Sequence, residues 1–485
     1  MTEVKINYKK LGLKGGLEIH CQLDTKHKLF CNCLTEMKEK EPIQIVKRKQ
    51  HPVASELGEI DIAAQYEYLR NRTFNYQVFK NEVCLIDLDE APPLPLNQEA
   101  LEIVLQVALL LNCEIPEEIH VMRKTVIDGS TPMGFQRTMV IGTNGLLKHK
   151  GKKIPITHVS LEEDAAAIVK EENGNVTYRL SRLGIPLVEI GTGLLIGFSP
   201  QEIQEIAYLI GMICRSCKTK RGIGTIRQDL NVSIKRGARI EIKGIQDLGL
   251  LAKMIELEVE RQLSLPKVKE ETRATLPDGT TKFIRPLPGA ARLYPETDVP
   301  PVTISKELIK KIKKTLPEPL TEKLSRFKGK LKLSNELARE ILRSDYMELF
   351  EKIIKTKKVE APIVANTFVS TLKDLEKREK IKIENLTEKH FLELFDFLTR
   401  KKLVKEAIPE ILKYLAENPD KTVVDSIREL DLKTIKKTEL KKTIKEILAQ
   451  PGLTLDKAVG LVMSKVRGKV EAKIVLKTVK KMFKK

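Results

Sequence analysis

The sequence predicts an α+β chain, with a mixed, largely antiparallel sheet domain followed by an all-helical middle domain and a helical tail. Three observations predict it. Residues 1–302 hold most of the Gly and Pro and many short segments that alternate apolar and polar, the pattern of half-buried strands. From about 303, segments such as NELAREILRSDYMELFEKIIK and LTEKHFLELFDFLTRKKLVKEAIPEILKYLAE repeat apolar residues three and four apart, the mark of amphipathic helices. Pro300-Pro301 and the Val-Thr-Ile-Ser after it read as the linker. The expected division is 1–302, 303–384 and a basic tail at 385–485.

Four strand-like segments carry an unusual polar face. In Leu17–Asp24, the residues Leu17, Ile19, Cys21 and Leu23 fall on one side, and Glu18, His20, Gln22 and Asp24 on the other. Residues 157–164 group the acids Glu162, Glu163 and Asp164. In Ile226–Ile234 one face carries Arg227, Asp229, Asn231 and Ser233. In Arg239–Lys243, Arg239, Glu241 and Lys243 oppose Ile240 and Ile242. A solvated face is usually rich in Lys, Thr and Ser. These faces carry residue types that bind metals and phosphates. Glu18 and His20, two apart on one strand, can chelate a cation; carboxylate oxygens suit Mg²⁺. Segments 99–112, 200–214 and 246–263 read as helices beside these strands, the second opened by Pro200 at a tolerated first-turn position.

Composition narrows the function classes. Hydrophobic residues make up 41% of the 485, enough for a core and against wholesale disorder. No apolar run reaches a membrane span of about 18 residues, and MTEVKINYKKLG has no apolar signal core. A soluble, cytoplasmic protein is expected. Aromatics at 5% with no Trp argue against base stacking as the main binding mode. The charge is +20, from 86 basic and 66 acidic residues, which suits a polyanionic partner. Residues 401–485 hold 22 basic against 11 acidic. The stretch Met463–Lys485, with Val466, Val470, Ile474, Val479 and Phe483 at mostly helical spacing, reads as one helix with a basic outer face that touches RNA phosphates.

There is no P-loop, no H-E-x-x-H and no G-x-S-x-G. Gly191-Thr-Gly193-Leu-Leu-Ile-Gly197 has one residue too many for a dinucleotide fingerprint. Any ATP site therefore belongs to an uncommon fold. Seven Cys in a long chain do not make a secreted disulfide framework.

At this point the blocks become recognisable. GLEIH at 16–20, the run from Leu23 to Cys33, SELGEID (55–61), DGSTPMGFQRT (128–138), HVSLEEDAA (158–166), SRLGIPLVEIGT (181–192), RQDLNVSI (227–234), EIKGIQDL (241–248) and RPLPGAARLYPETDVPP (285–301) resemble, in order, the tRNA-dependent amidotransferase B/E family. SELGEID, DGSTPMGFQRT and PGAARLYPETD resemble its archaeal E-type more than its bacterial B-type. The tail at 460–475 resembles the helical tail domain of both.

The resemblance implies that Glu-tRNA(Gln) is phosphorylated on its glutamyl carboxylate by ATP with Mg²⁺. Ammonia then displaces the phosphate to give Gln-tRNA(Gln). It implies metal ligands at Glu18, His20, Glu163, the second acid of the E-E-D block, and Glu189. Parity alone does not separate Glu162 from Glu163, so both stay in view. Asp229, Asn231, Ser233, Glu241 and Lys243 are expected to contact phosphate and the aminoacyl group. The E-type takes ammonia from an asparaginase-like D subunit, two D with two E; the alternatives are a B-type subunit served by an amidase-like partner and a tRNA-binding scaffold without catalysis.

Two departures are visible. E-type subunits usually carry an inserted domain, like one in bacterial-type aspartyl-tRNA synthetases, where this chain has only Ser264–Thr275. Some bacterial B-type subunits have a zinc pattern of C-x-C and a later C-x-x-C. Here Cys31 and Cys33 are followed by Cys84-Leu-Ile-Asp87, so Zn²⁺ at Cys31, Cys33 and Cys84 is not expected.

Overall fold

The computed structural model describes residues 6–54, 58–222, 224–276, 278–289, 292–450 and 453–483. Parts of the SELGEID and PGAAR blocks, residues 55–57 and 290–291, lie outside these. The chain divides into two compact units, 1–321 and 322–485.

The first unit is built on one large sheet. Its principal strands are β1 (Lys14–Gln22), β2 (Met122–Thr125), β3 (Phe135–His149), β4 (Lys152–Glu163), β5 (Pro186–Thr192), β6 (Ile226–Ser233), β7 (Ile240–Ile245), β8 (Glu271–Thr275), β9 (Thr281–Pro286) and β10 (Leu293–Pro295). Their spatial order is β9-β8-β7-β6-β1-β5-β4-β3-β2-β10. Every neighbouring pair is antiparallel except β7 with β8. Strand β1 lies in the middle, as a strand hydrophobic on one face and functional on the other should.

Three helices cover the apolar face: α1 (Gln98–Leu110), α2 (Pro200–Ser216) and α3 (Leu251–Ser264). They and the sheet share one core that includes Leu17, Ile19, Leu105, Val159, Leu161, Ile206 and Ile255. Ser199 and Glu202 close a capping box at the start of α2, with Pro200 at the first turn, which satisfies orphan amides at the helix start. A smaller four-stranded sheet (44–48, 73–78, 167–172, 175–179) buries Phe74, Tyr76 and Tyr178 in a core of its own.

The α+β expectation holds, and so do the three helices within a few residues. The boundary at 302 does not. Helix Lys306–Lys314 buries Ile312 in the sheet domain's core and pairs Lys311 with Glu102 at 2.6 Å, so the unit extends to Thr321. A boundary at 385 also fails. Phe391 packs on Tyr346 and Phe368, with ring centroids 6.0 and 5.0 Å away, which ties the two expected helical domains together. The last helices instead share a separate core from Leu440 to Val479. The expected single helix at Met463–Lys485 is two, Leu455–Lys465 and Ala472–Phe483. Between them Gly468 adopts φ +71°, a left-handed turn that glycine tolerates. Val475 and Val479 face the core and the lysines stay outside.

Candidate functional site

The face of the large sheet opposite the helices carries the polar residues. Its register assembles them. His20 lies opposite Glu189 on β5 and Arg227 on β6, and Glu18 lies opposite Asp229. On β4, Val159 and Leu161 point into the core, so His158, Ser160 and Glu162 point to the open face. Asn231 lies opposite Glu241 on β7.

Two groups form side by side. In the first, one ligand atom each from His20, Glu162 and Glu189 lies within 4.8 Å of the others. Glu189 is its hub: Oε2 meets His20 Nε2 at 3.1 Å, and Oε1 meets His158 Nε2 at 3.0 Å. Lys124 Nζ on β2 donates to Glu162 at 2.7 Å and stands 3.6 Å from Glu189. Thr138 and Gln136 donate to the two oxygens of Glu162 at 2.6 and 3.0 Å. Gly191 makes the His158 contact possible, because a Cβ there would meet the imidazole at 2.2 Å.

In the second group Glu18, Asp229 and Glu241 offer oxygens within 4.8 Å of one another. Lys243 Nζ donates to Asp229 at 2.7 Å and stands 2.8 Å from Glu241. Asn231 donates to Glu18 at 3.3 Å, Thr272 to Glu241 at 2.8 Å, and the Gly244 N–H to Asp229 at 3.0 Å. Ser233 lies opposite Lys14, further along the same face of β6, and joins neither group.

The electrostatics follow from these contacts. Burial raises the Glu189 carboxyl, but Lys124 and the imidazoles of His158 and His20 outweigh it and hold the group well below the usual range. Burial opposes a charged His20, and its hydrogen bond to Glu189 reverses the balance and raises it. The separate hydrogen bond of His158 to Glu189 raises that imidazole too, against its burial. Burial pushes Glu18 up. Asp229 and Glu241 are held down by Lys243 in spite of burial.

Glu163 does not join these groups. One residue past Glu162, it points to the packed face of the sheet. Arg137 there stands 3.4 Å from Glu163 and donates from Nε to Glu296 at 2.7 Å. Burial raises the Glu163 carboxyl. The structure therefore places Glu162, and not the expected Glu163, beside His20 and Glu189 on the open face. Lys124 and His158 were also missed. Lys124 sits in a four-residue strand without a motif, whereas His158 and Glu162 share the phase that Val159 and Leu161 define.

The first group fits a cation such as Mg²⁺. It combines hard carboxylate oxygens with one imidazole, and these donors already lie within 4.8 Å of one another. A four-donor group also forms away from this face. Cys31, Cys33, Cys84 and Asp87 lie within 4.8 Å of one another, so the set expected to be incomplete gains Asp87, where C-x-x-C has its second Cys. Lys28 shares that carboxylate at 3.2 Å. Cys214 and Cys217 lie in the sheet domain's core instead.

A sheet with such a face belongs to a recognised class of catalytic domain. The family model for the GatB/GatE catalytic domain matches residues 13–310, and that for the GatB domain matches 348–483. The chain belongs to the GatB/GatE family of amidotransferase subunits. The E subunit of the glutamyl-tRNA(Gln) amidotransferase of Methanocaldococcus jannaschii is 36% identical, with 99% of this chain and 100% of the relative covered. Its namesake from Aeropyrum pernix is 34% identical, with 98% of each covered. The first alignment runs over 630 positions against 485 residues here, so at least 145 positions have no counterpart in this chain. The connection from α3 to β8 is only Leu265–Glu270. No helix among the described residues is long and apolar enough to cross a membrane.

Proposed function

We propose that this chain converts Glu-tRNA(Gln) to Gln-tRNA(Gln) with ATP, Mg²⁺ and ammonia. The observation that carries the reading is the pair of acid groups on the open face of the catalytic-domain sheet. A carboxylate resists attack by ammonia because its leaving group would be oxide. An oxygen of the glutamyl carboxylate therefore attacks the terminal phosphorus of ATP, and the bond to the ADP oxygen breaks. Ammonia then attacks the carbonyl carbon, the bond to the phosphate oxygen breaks, phosphate leaves, and the nitrogen gives up a proton.

His20, Glu162 and Glu189 are the residues that would hold Mg²⁺, with Glu18, Asp229 and Glu241 beside them. The ion, when bound, would neutralise the charge of two anions brought together. Thr138, Gln136 and His158 hold the two carboxylates in orientation. Lys243 and Asn231 supply donors for phosphate and the aminoacyl group.

No amide-hydrolysing motif is visible, so ammonia comes from a partner. An asparaginase-like D subunit, in a cytoplasmic heterotetramer of two D and two E, fits the relatives, which are E subunits by name. Supplied with Glu-tRNA(Gln), ATP and an ammonium salt, the purified chain should form Gln-tRNA(Gln), read by release and chromatography of the amino acid. With asparagine or glutamine as the only nitrogen source it should not. Amide-dependent product from the single chain would refute the division of labour, and no product with ammonium would refute the activity.

A further inference from the structure

We propose that Lys124 is a phosphate-binding residue controlled by the metal: Glu162 and Glu189 hold its ammonium, and a divalent cation on those carboxylates hands it to the terminal phosphates of the nucleotide. This rests on the reading above and extends it to a residue without a motif.

The geometry makes the two cations compete. The Lys124 Nζ lies 2.7 Å from Glu162 Oε1 and 3.6 Å from Glu189 Oε2. A cation bound about 2.1 Å from that same Glu162 oxygen would lie no more than about 4.8 Å from Nζ. The ammonium and the metal would then share carboxylates at a distance where like charges repel strongly in a partly buried site. The lysine's four-carbon stem lets it move, and its side chain is 17% exposed.

A second cation points to where it goes. Arg292 donates from Nε to the Thr125 carbonyl at 3.1 Å. Among the described residues no carboxylate lies within 4 Å of its guanidinium. Asp61, Glu241 and Glu162 attract it, the last two being one from each acid group, while Arg285 repels it and it repels Lys124. Two neighbouring cations beside an acidic floor accept a third partner readily only if it is an anion. A polyphosphate bound to the metal is such an anion, so the lysine leaves one counter-ion for another.

The test uses the full chain with Mn²⁺ as probe, by electron paramagnetic resonance, and a non-hydrolysable ATP analogue by calorimetry. Lys124→Met should bind Mn²⁺ alone about tenfold more tightly, and the Mn²⁺–nucleotide complex about tenfold more weakly, each near 1.4 kcal/mol. Lys124→Arg should return Mn²⁺ affinity toward the wild-type value. Lys124→Gln replaces Met if that variant unfolds. A merely structural lysine would weaken both or neither, and either result overturns the proposal. Failure of the wild-type chain to bind Mn²⁺ or nucleotide would overturn the functional reading itself. Binding of both without the opposed shifts would remove only the role of Lys124.

Discussion

Glu162 and Glu163 are neighbours in the chain and belong to opposite faces of one sheet. On the open face, Glu162 stands among Glu189, His20 and Lys124. On the packed face, Glu163 is sealed against Arg137, whose guanidinium also reaches Glu296 and lies over Phe30 and Phe135. Both carboxylates are buried, so burial alone does not mark a site. The difference is in the partners. A rigid guanidinium fork with two carboxylates closes a structural contact. Glu162 and Glu189, which share an ammonium on a flexible stem with an imidazole beside them, keep donors available for a ligand.

Four substitutions or truncations probe that contrast. The largest effect is expected at the hub of the open face. Glu189→Gln should lower phosphoryl transfer to Glu-tRNA(Gln), followed with labelled ATP, by about 100-fold or more, as removal of a key charge in a catalytic site does. Its tRNA affinity should stay within about twofold. Transfer at the wild-type rate would place the chemistry elsewhere.

The packed face should respond in stability. Arg137→Ala leaves Glu163 and Glu296 buried without their shared partner, a loss of about 3–5 kcal/mol, measured by denaturant unfolding. The fraction that remains folded should keep its phosphoryl transfer rate.

Glu296 sharpens the contrast through pH. Burial alone would raise its carboxyl, but Arg123, the Asp298 amide and Arg137 outweigh burial and hold it down from 4.5 to about 2. A depressed native value contributes stability that is present above the unfolded value and lost as pH falls through the native one. Stability should therefore decline between about pH 4.5 and 2. Glu296→Gln should flatten that decline while being less stable at pH 7. An unchanged acid profile would rule out Glu296 as its source.

The smallest effect concerns the tail. Residues 433–485 hold 16 basic against 4 acidic side chains and end in a bundle with its own core. Truncation after Leu432 spares Phe391 and its aromatic neighbours. It should weaken tRNA binding and flatten the log–log salt dependence by roughly 0.7–0.9 for each phosphate no longer neutralised. The weakening should be alike for cognate and non-cognate tRNA, since phosphate contacts carry no base information. Equal slopes before and after truncation would make the tail a solvated surface.

Much of the open face was legible because period two is rigid. Leu17, Ile19 and Cys21 declared the core side of β1, which left Glu18 and His20 opposite. The same logic applied to Val159 and Leu161 selects Glu162 and His158, but three consecutive acids at the strand's end obscured the phase. Lys124 was not legible, since its strand spans four residues and its meaning comes from pairing with β3. Glu189 came from family resemblance and could not come from composition. Asp87 escaped because a carboxylate replaces the expected second thiol. The boundaries failed for a different reason. A helix that docks on an earlier core, as Lys306–Lys314 does, looks in sequence like the helices after it.

The most direct measurement compares Glu162→Gln with Glu163→Gln, isosteric changes one residue apart. Each purified chain is assayed for phosphoryl transfer from labelled ATP to Glu-tRNA(Gln), and for its thermal midpoint. Glu162→Gln is expected to lose transfer by about 100-fold with little change in midpoint. Glu163→Gln should keep transfer and melt a few degrees lower, as about 3 kcal/mol lost at a buried pair implies for a unit of this size. Lost transfer in Glu163→Gln with wild-type transfer in Glu162→Gln would contradict the assignment of the open face as the catalytic surface.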